Sequence, residues 1–262
     1  MPPTPPEVPE ADLPLRGVRI LDLSRVLAGP LATMLLADLG ADVCKVERPG
    51  TGDDTRGWGP PFAGDDAAYF LALNRNKRSV VLDLATDAGR AEARRLALGS
   101  DVVVENFRPG LMASFGLAHD QLAPEHPRLV SCSIPAFDEG EDPTRPGYDI
   151  IVQALSGHMS VTGEPDRPPM RPGVALLDVV CGLYAANAIQ AALIRRASTG
   201  EGAHVTVSLF ASGVAALVNQ AANYLVGGEV PHRMGTAHPN IDRKSTRLNS
   251  SHVSESRMPS SA

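Results

Sequence analysis

Cysteine is scarce. The 262 residues hold three, Cys44, Cys132 and Cys181, odd in number, far apart and in apolar surroundings. They form no metal-ligand spacing and no disulfide framework, so a reducing, cytoplasmic setting is expected. Basic excess is absent too. The formal net charge of -6 offers no electrostatic reason for nucleic-acid binding. The leading MPPTPPEVPEADLP has neither the basic segment nor the apolar run of a secretory signal, and residues 1–14 read as a disordered lead-in. No apolar run reaches membrane-spanning length, so no membrane partner is expected. The first strand-to-helix turn lacks G-x-G-x-x-G, which removes the ordinary dinucleotide fingerprint. His126, His204, His232 and His238 have no paired spacing, and no metal site is expected.

What is present is ordinary globular composition, 43% hydrophobic and 21% charged. That is enough for a sizeable core. Residues 18–23 form a short buried strand and 24–29 a turn. Pro30 can take the first position of a helix that Gly40 closes. Residues 42–47 are a second strand, and RPGTGDDTRGWGPPF a long loop. Further strands are expected at 79–84, 101–105, 129–134 and 204–208. Helices are expected at 86–98, around 111–115, near 119–124, and at 148–159 and 209–225. Arg75, Lys77 and Arg78 read as surface charges. Alternating strand and helix predict a doubly wound α/β domain with a mostly parallel sheet.

One stretch stands apart, residues 171–202, RPGVALLDVVCGLYAANAIQAALIRRASTGEG. Val179, Val180, Leu183, Ala186, Ile189, Ala192 and Leu193 recur mainly every third or fourth residue, the period of a buried helix face. Arg195, Arg196 and then Ser198-Thr199-Gly200 mark its end. Asp178 is the single acid between its apolar runs, at or just before the first turn. Two readings meet there. One is a helix N-cap, the commonest role of Asp in such a place. The other is a reactive carboxylate, kept ionised by the helix N-terminus and aimed into a cleft.

From Asp242 the chain reads DRKSTRLNSSHVSESRMPSSA, serine-rich and almost without apolar periodicity. Residues 242–262 are read as a disordered tail or as translated adapter or vector sequence, with the gene expected to be cut near Asn240-Ile241.

Several blocks, in order, resemble the class III CoA-transferase family (CaiB/BaiF type), which includes formyl-CoA transferase and carnitine CoA-transferase. They are LRGVRILDLSRVLAGPLATMLLADLGADVCKVERPGTGDDTR, NRNKRSVVLDL, DVVVENFRPG, RPGYDIIVQALSGHMSVTGEP and GVALLDVVCGLYAANAIQAALIRRASTGEG. The likeness spans residues 15–241. It implies the Rossmann-like large domain of an interlocked homodimer, with the family's small domain missing from this chain. It also implies acyl-CoA and carboxylic acid substrates, with coenzyme A as substrate and no permanently bound cofactor. The chemistry runs through an aspartate that becomes an aspartyl-CoA thioester, and by position that aspartate is Asp178.

The resemblance also assigns the CoA side. Val26, Leu27 and Ala28 lie in the first turn, where the family lays CoA along the backbone. Arg48 would meet the nucleotide end. Leu82 and Asp83 lie where the family lines the adenosine pocket. Asn106, Phe107 and Arg108 form a strand-end contact, and Tyr148 joins the site. By residue type alone the readings are plainer: turn packing for 26–28, a solvated charge for Arg48, core packing for Phe107. Gly182 and the loop glycines are candidates for backbone donors to oxyanions.

Departures are specific. Leu27 stands where some members have Gln, and Ser114 where some have a CoA-binding Arg. The 135–147 loop lacks the usual glycine-rich form. Two rivals remain: an inactive truncated fragment, and an α-methylacyl-CoA racemase of the same fold. The racemase uses a Gly-His-Asp motif for proton movement, and this chain reads Gly147-Tyr148-Asp149. His158 is nearby in sequence and reads equally well as a helix residue facing a neighbour.

Overall fold

The structure, a computed structural model, describes residues 13–138, 140, 145 and 147–241. Of the expected lead-in only Leu13 and Pro14 fall inside these residues. The 242–262 tail and part of the 135–147 loop lie outside them.

Short runs rich in valine and isoleucine become six parallel strands: β1 (Arg19–Asp22), β2 (Asp42–Glu47), β5 (Lys77–Val81), β6 (Val102–Glu105), β7 (Val130–Ser133) and β8 (Ala203–Thr206). Their order in the sheet is β5-β2-β1-β6-β7-β8. A separate antiparallel pair, β3 (Phe62–Ala63) with β4 (Asp66–Ala67), interrupts the long loop after β2. Side chains alternate along each strand, so the sheet builds a core on both faces. Ile20, Val43, Val102 and Val104 pack with Ala32 and Leu36 of α1 (Ala28–Asp38) and Leu177, Cys181, Ala185 and Ile189 of α8 (Leu176–Thr199). Leu21, Leu23 and Val103 pack on the other side with Ala93 and Ala97 of α3 (Asp87–Leu98).

The long helix α8 is the main buttress. By length and composition it would suffice to cross a membrane, contrary to the reading that no run is long enough. Here its Leu177–Cys181–Ala185–Ile189 stripe is fully buried in the core. Its far end is fixed by Gly200 at φ 79° and by Arg196, which pairs with Asp101 at 3.1 Å.

Three local expectations change. The helix expected at 148–159 breaks into α6 (Asp149–Leu155) and α7 (His158–Val161), because Gly157 turns left-handed at φ 93°. The helix expected at 209–225 becomes α9 (Leu209–Ala215) and α10 (Asn219–Gly227), bent by 71°. Lys77 is no surface charge. It opens β5, its side chain is 2% exposed, and it pairs with Asp22 at 3.1 Å. A lysine at a strand start carries no sign in sequence that a buried carboxylate waits beneath it. The remaining helices, α2 (Ala68–Asn74), α4 (Leu111–Ser114) and α5 (His119–Leu122), lie between strands.

Candidate active site

The strand order runs outward in both directions from the β1–β6 seam: β1, β2, β5 one way and β6, β7, β8 the other. Such a reversal leaves a crevice beyond the carboxyl ends of the strands. A cavity of about 470 Å³ lies there. Its walls come from the segments after β1 (Arg25 to Ala28), β6 (Asn106 to Pro109) and β7 (Ile134 to Asp138), and from Tyr148, Asp149 and Asp178. Asn106 holds the first two segments together. Its Oδ1 accepts from Arg25 N at 2.9 Å, and its Nδ2 donates to Arg25 O at 2.8 Å. The Arg25 guanidinium lies 5.3 Å over the Phe107 ring.

Asp178 is the third residue of α8, not its cap. The N-cap position belongs to Ala175, which makes no side-chain cap bond. Asp149 of α6 does the capping from outside: its Oδ1 accepts from Leu177 N at 2.8 Å and Asp178 N at 3.2 Å. Asp149 satisfies two of the orphan donors that every helix start carries, and Gln153 donates to its other oxygen. Asp178 is thereby free to face the cavity.

The helix N-terminus expected to keep Asp178 ionised is opposed by its surroundings. Burial, and secondarily the negative charge of Asp149, push its carboxyl from the usual 3.8 up to about 7. Desolvation acts against the helix-end field here. The fields of Asp178 and Asp149 also reach Tyr69 of α2, whose phenol is pushed up mainly by burial. Tyr69 in turn meets Trp58 edge-on at 5.2 Å between ring centres.

Of the residues singled out from sequence, Val26, Leu27, Ala28, Asn106, Phe107, Arg108, Tyr148 and Asp178 line this one cavity. Arg48 does not, but it is ion-paired with Asp54, which stands in the lining. Leu82 and Asp83 lie just past the end of β5, outside the cavity. Leu82 N donates to Glu47 O at 2.9 Å, and Asp83 Oδ1 accepts from Ala85 N at 3.0 Å. Gly182 is no oxyanion donor, because it sits inside α8, where its N–H belongs to the helix. It provides closeness instead: a Cβ there would stand 2.8 Å from Ala28 O. His158 is buried, with Nε2 2.8 Å from Gly213 O.

Sequence reasoning missed the capping role of Asp149, the place of Tyr69, and the cavity arginines Arg25 and Arg145. Asp149 was visible only as a residue beside an absent His. Nothing local connects it to a helix 28 residues later.

An open parallel sheet with a crevice at its switch point, lined by the Asp149 and Asp178 carboxyls, defines an α/β protein with a ligand-sized site at its strand ends. Comparison narrows this. The profile of CoA-transferase family III matches residues 15–246, and the chain belongs to that family. It is 50% identical over 242 residues to a succinate–glutarate CoA-transferase of Agrobacterium fabrum, covering 90% of this chain and 60% of that protein. It is 47% identical over 238 residues to a human succinyl-CoA:glutarate CoA-transferase, covering 89% and 54%. A CAIB/BAIF family protein from Brucella suis superposes with a TM-score of 0.83 at 49% identity, over 88% of this chain and 62% of that one. The chain thus spans little more than half the length of these curated relatives.

Proposed function

We propose that Asp178 is the nucleophile of a CoA transfer between an acyl-CoA and a carboxylic acid. Its carboxylate attacks the thioester carbonyl, the C–S bond breaks, and CoA leaves as thiolate from an acyl-aspartyl anhydride. The thiolate attacks the aspartyl carbonyl, expelling the donor acid as carboxylate and leaving an aspartyl-CoA thioester. The acceptor acid then runs the exchange in reverse. Each step trades one acyl bond for another, with no redox change. Splitting the transfer this way replaces one hard exchange by easier ones.

The observation that carries the reading is Asp178 itself, a carboxylate in the switch-point cavity, released from capping duty by Asp149 and poorly solvated. Losing its water shell makes it a better nucleophile once ionised. The names of the relatives point to short dicarboxylates as the acid pair. Arg25, Arg108 and Arg145 in the lining suit CoA phosphates or a second carboxylate. The racemase reading finds no support here, since Tyr148 stands where its base would be and His158 is bound inside the core.

The exposed apolar residues Leu183 and Ile194 on α8, and Val218 and Leu225 near α10, favour further protein over this end, as an interlocked homodimer would supply. The free thiols of Cys44, Cys132 and Cys181 suit a reducing cytoplasm. The test is to trap a CoA adduct by mass spectrometry after mixing the intact protein with succinyl-CoA. The adduct is expected on Asp178, with Asp178→Ala binding CoA but lacking both adduct and exchange. Turnover retained by Asp178→Ala would reject the assignment.

A further inference from the structure

Directly beneath the β1–α1 turn lies a set of buried charges that the transfer chemistry does not use. Asp22 accepts from Ser24 N at 2.9 Å and Thr33 Oγ1 at 2.6 Å, and pairs with Lys77 at 3.1 Å. Lys77 also donates to Pro30 O at 2.8 Å, in the first turn of α1. Beside them Lys45 donates to Ser24 O at 2.8 Å and pairs with Asp53 at 2.9 Å. The side chains of Lys45 and Asp53 are 2% and 0% exposed. Asp53 comes from the long loop after β2, far from the turn in sequence.

Burying opposite charges is weak evidence for stability, because well-packed apolar residues often serve as well. What these charges specify is a shape. Val26 sits at φ 68°, the left-handed region. A β-branched residue is rarely found there, and it stays only where its surroundings over-determine it. The Val26 N–H points at the Asp53 carboxylate, 3.3 Å from Oδ2 and 3.4 Å from Oδ1. The same carboxylate accepts from Thr55 N at 3.0 Å and Thr55 Oγ1 at 2.7 Å. So Asp53 is anchored on its own side, neutralised by Lys45, and turned toward the Val26 amide.

The consequence reaches the reacting carboxylate. Val26, Leu27, Ala28 and Asp178 line the same cavity. Gly182 lies one helical turn beyond Asp178, on the same face of α8. There the Ala28 carbonyl comes so close that a Cβ would stand 2.8 Å from it. The conformation of the turn therefore sets where its backbone stands relative to the face that bears Asp178.

We infer that Asp53, braced by Lys45, is a positioning residue for the acyl-CoA site: it locks Val26 left-handed and so fixes the Val26–Ala28 backbone against Asp178. The inference rests on the nucleophile reading of Asp178, but its structural half is read without turnover.

The experiment uses the intact protein and a variant that keeps the core neutral, Lys45→Met with Asp53→Leu. The exchange removes both charges together but also takes away the partners of Ser24 O, Thr55 N and Thr55 Oγ1, so Tm is expected to fall by several degrees. Val26 is expected to leave the left-handed region in the variant's crystal structure. With succinyl-CoA and glutarate, assayed well below the variant's Tm, kcat/KM is expected to fall at least about tenfold, mostly in kcat. Lys45→Met with Asp53→Asn strands no charge, retains an oxygen facing the Val26 amide, and is expected to stay within about threefold of the unsubstituted protein. Val26 still at positive φ in the Lys45→Met, Asp53→Leu variant overturns the inference, whatever the activity. So does undiminished kcat/KM in that variant, or a loss that Lys45→Met with Asp53→Asn shares. Exchange that survives Asp178→Asn instead counts against the nucleophile, and the Val26 readout separates the two failures.

Discussion

Replacing Asp178 by Asn should make the protein more stable, and only where the carboxyl would otherwise be charged. Its carboxyl has an ordinary value of 3.8 and is pushed to about 7 in the fold by burial and by Asp149. Between those values the folded chain holds a proton that the unfolded chain has released. Stability therefore falls as pH rises through that window, and the full cost is present above it. At about 1.36 kcal/mol per unit, the ceiling is about 4 kcal/mol. Asp178 is only partly buried, and solvent screening brings the expected cost to about 2 kcal/mol. The lost attraction to the α8 N-terminus acts the other way, but at about 0.3–1 kcal/mol it is smaller. For a chain of this size, 1 kcal/mol moves Tm by roughly 2–4 °C. Asp178→Asn should therefore melt about 2–7 °C higher at pH 8, with the gain shrinking to about 1 °C at pH 4. Calorimetric melts of both proteins across that range decide it. No gain at pH 8 would mean that the carboxylate is not paying a desolvation cost. An equal gain at every pH would mean that packing, not charge, was relieved.

Three further outcomes follow from the same geometry. With Asp178 as the proposed nucleophile, kcat/KM for exchange should rise with pH along a limb centred near 7, where its carboxyl ionises. Asp149→Asn should shift that limb to lower pH by removing the neighbouring charge, while its amide oxygen still caps Leu177 and Asp178, at a cost of about 1 kcal/mol or less in a urea melt. Gly182→Ala would place a methyl 2.8 Å from Ala28 O and 3.2 Å from Leu31 Cδ2. It should destabilise by about 1–3 kcal/mol in urea melts and lower exchange, because the α1–α8 contact has no slack.

Much of the fold was legible along the chain because its signals are local. The strand at 42–47 matches its expected bounds. Thr86 caps α3 through Gly89 N at 3.0 Å, at the start expected for that helix. The segments after β1 and β6 enter the site through the family resemblance, and by residue type alone they read as turn and core packing. The errors fall where partners are distant in sequence or where one residue turns left-handed. Gly157 breaks a helix whose apolar pattern continues across it.

The sequence by itself determined the α/β alternation, the apolar helix that carries Asp178 and the family resemblance, since each is written in spacing over a few residues or in matching blocks. Only the tertiary structure decided what surrounds that carboxylate. Asp149 reaches across from α6 to cap α8, which leaves Asp178 unneeded as a cap, and the packing that buries it raises its pKa. Lys45 and Asp53 likewise read as loop and strand charges until the fold draws them together beneath Val26. Burial and the field of a distant charge depend on three-dimensional neighbours, and no local pattern encodes them.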